Sequence, residues 1–423
     1  MSEATVVTTP EKPASIWRSA DFVRLWGSQN ISLLGTEVTG IAIPFLAVVL
    51  LQATPIQVGI LTSARYLPYL LAALPAGIIV DRFPRRTIMI LANLLRGLLL
   101  GAIPVLSLLG VLQVEHLYVI SFVVGLLAVP FDLSWQSYIP TLVTREQLHA
   151  ANSQLMASGF AISLGGPGLG GVVVQVLTAP LAIAVDAASY LIAAVGLLTI
   201  RLREKMAQPP VRDLPREVAE GFRIVFGNVY LRTIAFEATS ANAASNFVQV
   251  TLVYHLLHTL GFNPATLGIL LAGASAGAMV GAFFTDRLTK RIAFGHLIVG
   301  SMVVGCTFSL LLAIPVSSGA VALPLYLFAL AGNGFGIAIS SVTVLSLRQA
   351  VVDPAKQGRM NAVYRMFVTG FIPVGAFLGG LVTQVVGAPT ALVIGVVWWT
   401  LSPLIAALSP VRTLKELPQR QDA

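Results

Sequence analysis

Gly77-Ile78-Ile79-Val80-Asp81-Arg82-Phe83-Pro84-Arg85-Arg86 is a charged hairpin set between two apolar runs of membrane length. Asp286-Arg287-Leu288-Thr289-Lys290-Arg291 stands in the same setting about 205 residues later. A hairpin of acid and bases occurring once in each half of a hydrophobic chain predicts a duplicated membrane transporter.

Composition sets the class. Of 423 residues, 10% are charged and 56% hydrophobic, and the mean hydropathy is +0.85. A soluble domain carries roughly a quarter charged residues, so a soluble fold of this length would be short of polar surface. Apolar runs long enough to cross a hydrocarbon core, about 20 residues, recur throughout. Met1 to Arg18 is polar and lacks the apolar core of a signal peptide. Cys306 is the single cysteine, which excludes an intrachain disulfide or a cysteine metal cluster. No metal site and no cofactor are expected.

The apolar runs predict twelve spans, numbered 1 to 12, at 25-51, 56-79, 87-111, 117-139, 151-177, 180-200, 231-258, 264-284, 293-315, 321-347, 360-385 and 389-409. The expected architecture is all-α. A tail at 1-20 precedes a six-helix bundle at 21-200, a linker at 201-230 leads to a second bundle at 231-410, and a tail at 411-423 follows. The loops after the odd-numbered spans are short and hold no Lys or Arg. By count, 23 of the 26 basic residues lie in the termini, the remaining loops and their flanks; Arg65, Arg96 and Arg365 are the exceptions. Basic residues stay inside in short loops, which predicts both termini and the linker on the cytoplasmic side of the inner membrane. The +8 formal charge thereby has a membrane explanation, and no nucleic-acid partner is expected.

An offset of 209 aligns the halves. Pro55 and Gly59-Ile60-Leu61 match Pro264 and Gly268-Ile269-Leu270, Asn152 matches Asn361, Gly166 matches Gly375, and Gly170-Gly171 matches Gly379-Gly380. The charged hairpin slips by four residues, about one helical turn. An even number of spans per repeat preserves orientation, so the copies are parallel and a substrate is expected at their interface. In the linker, Leu214, Val218, Phe222 and Val225 recur at roughly helical spacing, predicting an amphipathic helix on the inner membrane face.

Gly77-x-x-x-Asp81-Arg82-x-x-Arg85-Arg86 resembles the signature of the major facilitator superfamily between spans 2 and 3, with a weaker copy between spans 8 and 9. Gly159 with Gly166-Pro167-Gly168-Leu169-Gly170-Gly171 resembles the antiporter motif of its drug-exporting branches. Ala151-Asn152-Ser153 and Gly358-Arg359-Met360-Asn361-Ala362-Val363-Tyr364-Arg365 are similar to the subgroup of macrolide-efflux proteins and the enterobactin exporter. Two departures stand out. Pro84 occupies a position usually held by Gly and Val80 one usually held by a small residue; span 4 carries Asp132 and lacks the arginine of several drug-proton antiporters. The resemblance implies alternating access of two bundles, proton antiport, and an amphipathic cargo such as a macrolide, a hydrophobic cation or a siderophore.

Candidate residues follow from position and chemistry. Glu37 stands about midway along span 1, where a carboxylate is costly and marks a functional site by default. Asp132 in span 4 is the second acid considered for proton or substrate binding. Arg96 and Arg65 need partners inside the membrane, and pairing with Glu37 or Asp132 is plausible. Asp186 and Glu237 are placed near span ends and expected to be partly solvated or bonded to a helix; Arg365 is expected to reach the cytoplasmic interface.

Asp81 can pair with arginines or cap a helix start, and Gly77, Asp81, Arg82, Arg85 and Arg86 with Asp286, Arg287 and Arg291 are expected to latch one conformation. Gly166 and Gly170 have small-xxx-small spacing, Pro167 invites a bend, and with Gly171 they form the expected hinge. Trp26, Asn30, Asn242, Asn246 and Gln249 are among the residues that could line a cavity.

The expected partners are protons, the bilayer and a small amphipathic molecule, and the expected state is monomeric. The alternatives are a facilitator or importer of a small nutrient and, more remotely, an integral-membrane enzyme or receptor. Against an enzyme, the chain has no His-Glu-x-x-His, P-loop or cysteine cluster.

Overall fold

The computed structural model describes residues 16–201, 204, 214–316, 318–354 and 356–418. The start of the expected N-terminal tail, the Pro209-Pro210 part of the linker and positions 419–423 of the second tail lie outside the described residues. Among the described residues all regular structure is helical.

Among the described residues ten helices are long and apolar enough to cross a membrane. They are span 1 (Ala20–Leu50), span 3 (Arg85–Leu108), span 4 (Val114–Leu142), span 5 (Leu148–Leu177), span 6 (Ala179–Leu198), span 8 (Pro264–Thr289), span 9 (Phe294–Ala313), span 10 (Gly319–Val351), span 11 (Gln357–Val386) and span 12 (Ala388–Ala407). Span 2 is the bent pair Pro55–Leu71 and Pro75–Arg82, turned by 61°. Span 7, Val229–Tyr254, has 26 residues. That is about 39 Å of helix, enough to cross. It falls short on composition because Arg232, Glu237, Asn242, Asn246 and Gln249 interrupt its apolar run. Twelve spans result, in two groups of six.

Within the first half, span 1 packs on spans 5 and 6, span 3 on spans 4 and 6, and span 2 on span 4. In the second half, span 7 packs on spans 11 and 12, and span 10 on spans 8 and 9. The halves meet along two helix pairs, spans 2 with 11 and spans 5 with 8. The side carrying the 2–3 hairpin and the linker is termed the linker face, and the other the far face.

Near the far face both pairs cross at glycines. A Cβ on Gly59 would stand 3.0 Å from Gly380 Cα and 2.8 Å from Ala376 O; one on Gly171 would stand 3.1 Å from Gly268 Cα and 2.5 Å from Pro264 O. Gly59 with Gly268 and Gly171 with Gly380 are repeat mates, so one contact is built twice. Lipid tails give helices no hydrophobic reason to associate, so this backbone approach supplies the dispersion and shape fit that hold the halves together.

The repeat extends to unusual backbone. Span 1 ends in a π-helical turn, Leu46–Leu50, and span 7 in its mate, His255–Thr259. Leu51 N–H donates to Leu46 O at 3.0 Å and Leu260 N–H to His255 O at 3.0 Å. Positive φ occurs at Gln52 (51°) and its mate Gly261 (63°), and at Thr178 (73°) and its mate Gly387 (81°).

The linker helix, Leu214–Gly227, packs on spans 7 and 11 of the second half. Val225 is fully buried beside Met360 and Val363, and Phe222 and Phe226 stack edge-on to Phe367 at 5.7 and 5.1 Å. Arg359 bridges to Glu220. Gly221 allows the approach, since a Cβ there would stand 2.7 Å from Arg359 O. The helix is thereby attached to the second bundle.

Candidate functional site

Two cavities lie between the halves. One, of about 190 Å3, is lined by Tyr69, Leu70 and Asp132 from the first half and by Arg365, Met366 and Thr369 from the second. The other, of about 110 Å3 and closer to the far face, has Arg65, Tyr66 and Ser121 facing Gln249, Val253 and Leu271. Both mix apolar walls with a few polar groups, as sites for amphipathic molecules do. The span 2–11 and span 5–8 crossings close the far side. Between them, Ser63 donates to Pro373 O at 2.7 Å.

The polar groups of the first half sit side by side. Asp132 accepts a hydrogen bond of 3.0 Å from the Tyr69 hydroxyl. Arg96 is 4% exposed, its guanidinium 4.8 Å from the Phe131 ring centre and 5.5 Å from that of Tyr190. Its Nε and Nη2 have no hydrogen-bond partner. Two aromatic faces replace part of the lost hydration through cation–π attraction. Tyr190 in turn shares a 2.9 Å hydrogen bond with Thr36 of span 1.

Among the described residues, none of Glu37, Arg65, Arg96 and Asp132 forms a direct ion pair. The direct pairing considered from sequence is not formed in this conformation, and Asp132 takes its hydrogen bond from Tyr69 instead.

The motif of span 5 meets Glu37 directly. A Cβ on Gly166 would stand 2.6 Å from Glu37 Cγ, and one on Gly170 would stand 3.0 Å from Glu37 O. The carbonyl of Pro167 lies against Gly268 of span 8, 2.4 Å from where its Cβ would stand. Gly166 and Gly170 thus tie span 5 to span 1, while Pro167 and Gly171 tie it to the opposite half.

The hairpin residues hold their own bundle. Arg85 donates to Ser137 O at 3.0 Å and pairs with Glu204 at 3.1 Å; Glu204 also accepts from the Arg85 backbone N–H at 2.8 Å. Arg86 donates to Leu197 O at 2.9 Å and Leu198 O at 2.7 Å, capping the end of span 6, where Leu197 O also accepts from the Ile200 N–H at 3.3 Å. Arg82 is exposed, and Gly77 has open space where a Cβ would stand. In the second copy, Asp286 pairs with Lys290 at 2.7 Å on the exposed surface, Arg287 lies over Phe283 and Phe284, and Arg291 is exposed.

Of the two states expected for the acids near span ends, solvation is not the one found. Asp186 and Glu237 are 1% and 5% exposed, so neither is partly solvated. Asp186 accepts a 3.1 Å hydrogen bond from Ser189 and lies against Gly35 of span 1. Arg365, expected at the interface, lines the central cavity from its exposed edge. Asn242 and Gln249 do line cavities, whereas the Trp26 Nε1 is buried without a partner. Tyr69, Phe131 and Tyr190 were not foreseen, because only the fold brings them to Asp132 and Arg96.

Residues 12–422 match the family model described as transmembrane secretion effector. The chain belongs to this family of major facilitator transporters. Among the family's curated relatives, the multidrug efflux pump Tap of Mycolicibacterium fortuitum is 25% identical over 84% of this chain and 87% of its own length. The enterobactin exporter EntS of Salmonella choleraesuis (strain SC-B67) is 26% identical over 93% of each chain. The fold resembles a bacterial homologue of the lysosomal transporter Spinster, with TM-score 0.74 at 13% identity over 94% of this chain and 98% of the other. It also resembles a bacterial homologue of ferroportin, with TM-score 0.73 at 15% identity over 93% and 99%. A multi-pass membrane transporter of the major facilitator superfamily is the result.

Proposed function

We propose that this chain is a secondary exporter that carries an amphipathic small molecule out of the cell in exchange for protons. The observation that carries the reading is the pair of interbundle cavities, closed toward the far face by the Gly59–Gly380 and Gly171–Gly268 crossings. The basic residues gather on the linker face, which supports a cytoplasmic position for that face and both termini. The conformation described is then the one that receives cargo from inside. The efflux activity named for Tap and EntS supports the same direction.

In this reading the two bundles rock about the glycine crossings. Apolar cargo surface rests on Leu70, Leu133 and Met366, while Asp132 and Arg365 orient its polar groups. Glu37 and Asp132 are the coupling acids. A proton taken from outside removes the cost of holding the carboxylate charge while the bundles pass through a state closed to water. Because span 5 glycines rest on Glu37 and on span 8 together, a change of packing around that carboxylate reaches the interbundle contact through one helix. Arg85 and Arg86 keep spans 3, 4 and 6 moving as a body. The chain acts as a monomer, each molecule holding a full pair of bundles.

Energised cells are the simplest test. Cells making the protein should accumulate less of a fluorescent amphipathic dye than cells making Asp132→Asn, and a protonophore should remove the difference. Equal accumulation by both, with equal protein in the membrane, would contradict the proposal.

A further inference from the structure

The second bundle encloses a cavity of about 310 Å3 that belongs to neither interbundle cavity. Spans 7, 9, 10, 11 and 12 line it, and Glu237 is its acid. Glu237 follows the start of span 7 by eight residues, so it lies about 12 Å from that end of the helix. It is 5% exposed, and no side chain among the described residues hydrogen-bonds to it. A carboxylate at that depth without a partner is costly by itself, and a partner from outside the chain would offset that cost.

The repeat shows what kind of partner fits. In the first bundle a cation already occupies the corresponding region: Arg96 lies between Phe131 and Tyr190. At an offset of 209 their mates are Gly305, Ser340 and Trp399. The guanidinium and one ring are gone, the second ring is kept as Trp399, and Ser340 and Trp399 line the cavity. The mate of Glu237 in the first bundle is Ser28, so the acid exists only where the built-in cation does not. The remaining wall combines the ring of Tyr364 with the polar side chains of Asn242, Ser245 and Ser341. Arg348 also lines the cavity, at the end nearer the linker face, with its charge turned onto the Tyr364 ring at 4.1 Å.

We infer that this cavity binds the protonated amine of an amphipathic organic cation, with Glu237 as its counter-charge and Trp399 as its aromatic wall. The ligand takes the place that the Arg96 side chain fills in the first bundle. This deepens the exporter reading and rests on it only for the claim that the bound amine is cargo.

Binding is tested on the full-length protein in lipid nanodiscs, without any gradient, using dansylcadaverine and its neutral N-acetyl derivative. Dansyl fluorescence should report binding of the amine and at least about tenfold weaker binding of the N-acetyl form. Glu237→Gln should weaken the amine by a similar factor and leave the N-acetyl form unchanged. Ser340→Phe restores the first-bundle residue, fills the cavity and leaves Glu237 in place; it should also abolish amine binding, and it decides the matter if Glu237→Gln does not fold. Equal binding of amine and N-acetyl forms, or full amine binding by either folded variant, would overturn the inference. Flux in proteoliposomes separates the two readings: binding without transport keeps the site and removes the exporter, and transport with unaltered Glu237→Gln binding does the reverse.

Discussion

Gly166 of span 5 faces Glu37 of span 1 so closely that a Cβ on the glycine would stand 2.6 Å from the Glu37 Cγ. The glycine motif and the mid-membrane acid, noticed separately in the sequence, are therefore one contact. Gly166→Ala meets a flexible side chain, which can shift. The variant should stay folded, as judged by thermal unfolding in detergent, yet lose proton-coupled flux because the Glu37 carboxylate is displaced. Flux equal to that of the parent protein would show that the position of this carboxylate does not matter.

The contact of Gly171 with Gly268 behaves differently because both partners are backbone. A methyl on Gly171 would stand 2.5 Å from Pro264 O, which cannot move aside alone. Gly171→Ala should cost about 1–3 kcal/mol of stability, and its repeat mate Gly380→Ala, 2.5 Å from Pro55 O, should cost the same. Unfolding midpoints of the two variants provide the check. A large penalty at one crossing and none at the other would break the twofold account of the interface.

Thr178 and Gly387 hold the same turn, with φ and ψ of 73° and 157° and of 81° and 157°. That region is nearly closed to residues with a Cβ and strains a non-glycine residue by about 1–3 kcal/mol. Thr178→Gly should stabilise the protein by roughly 1 kcal/mol after the entropy lost by glycine, about 0.5–1 kcal/mol, is subtracted. Gly387→Thr should destabilise it, and comparison of melting temperatures settles both signs.

Arg86 closes the end of span 6 through two charged hydrogen bonds. Arg86→Ala leaves Leu198 O to water or lipid headgroups and Leu197 O with its backbone bond alone, and should cost about 1–3 kcal/mol. Arg86→Lys has no planar fork with which to reach both and should recover only part of the loss. Accessibility of a cysteine placed at Thr199 would follow the fraying, in a Cys306→Ser background that removes the single native thiol.

Much of the fold was legible because membrane helices announce themselves by length, and because the 209-residue repeat keeps glycines in register. The repeat proved deeper than its letters: Gln52 has the backbone of Gly261, and Thr178 that of Gly387, although neither residue matches. Span 7 was read as an apolar run at 231-258 even though polar side chains interrupt it.

The site was less legible. Sequence gives a residue's depth along a helix but not the direction it faces when both sides of that helix are apolar. Arg96 was therefore recognised as needing partners, while Phe131 and Tyr190, from two other helices, could not be named. For the same reason the sequence left Asp186 and Glu237 between partial solvation and bonding to a helix. Their presence in apolar runs was itself the signal of burial, and the structure places both among packed helices.

Proton exchange is the claim on which the rest depends. Inside-out vesicles carrying a pH dye and an acidic interior should release protons when a transported macrolide, lipophilic cation or catechol siderophore is added. Glu37→Gln or Asp132→Asn should abolish that release at unchanged protein level. Release that persists undiminished in both variants, or transport of labelled cargo with no proton movement, would contradict the account.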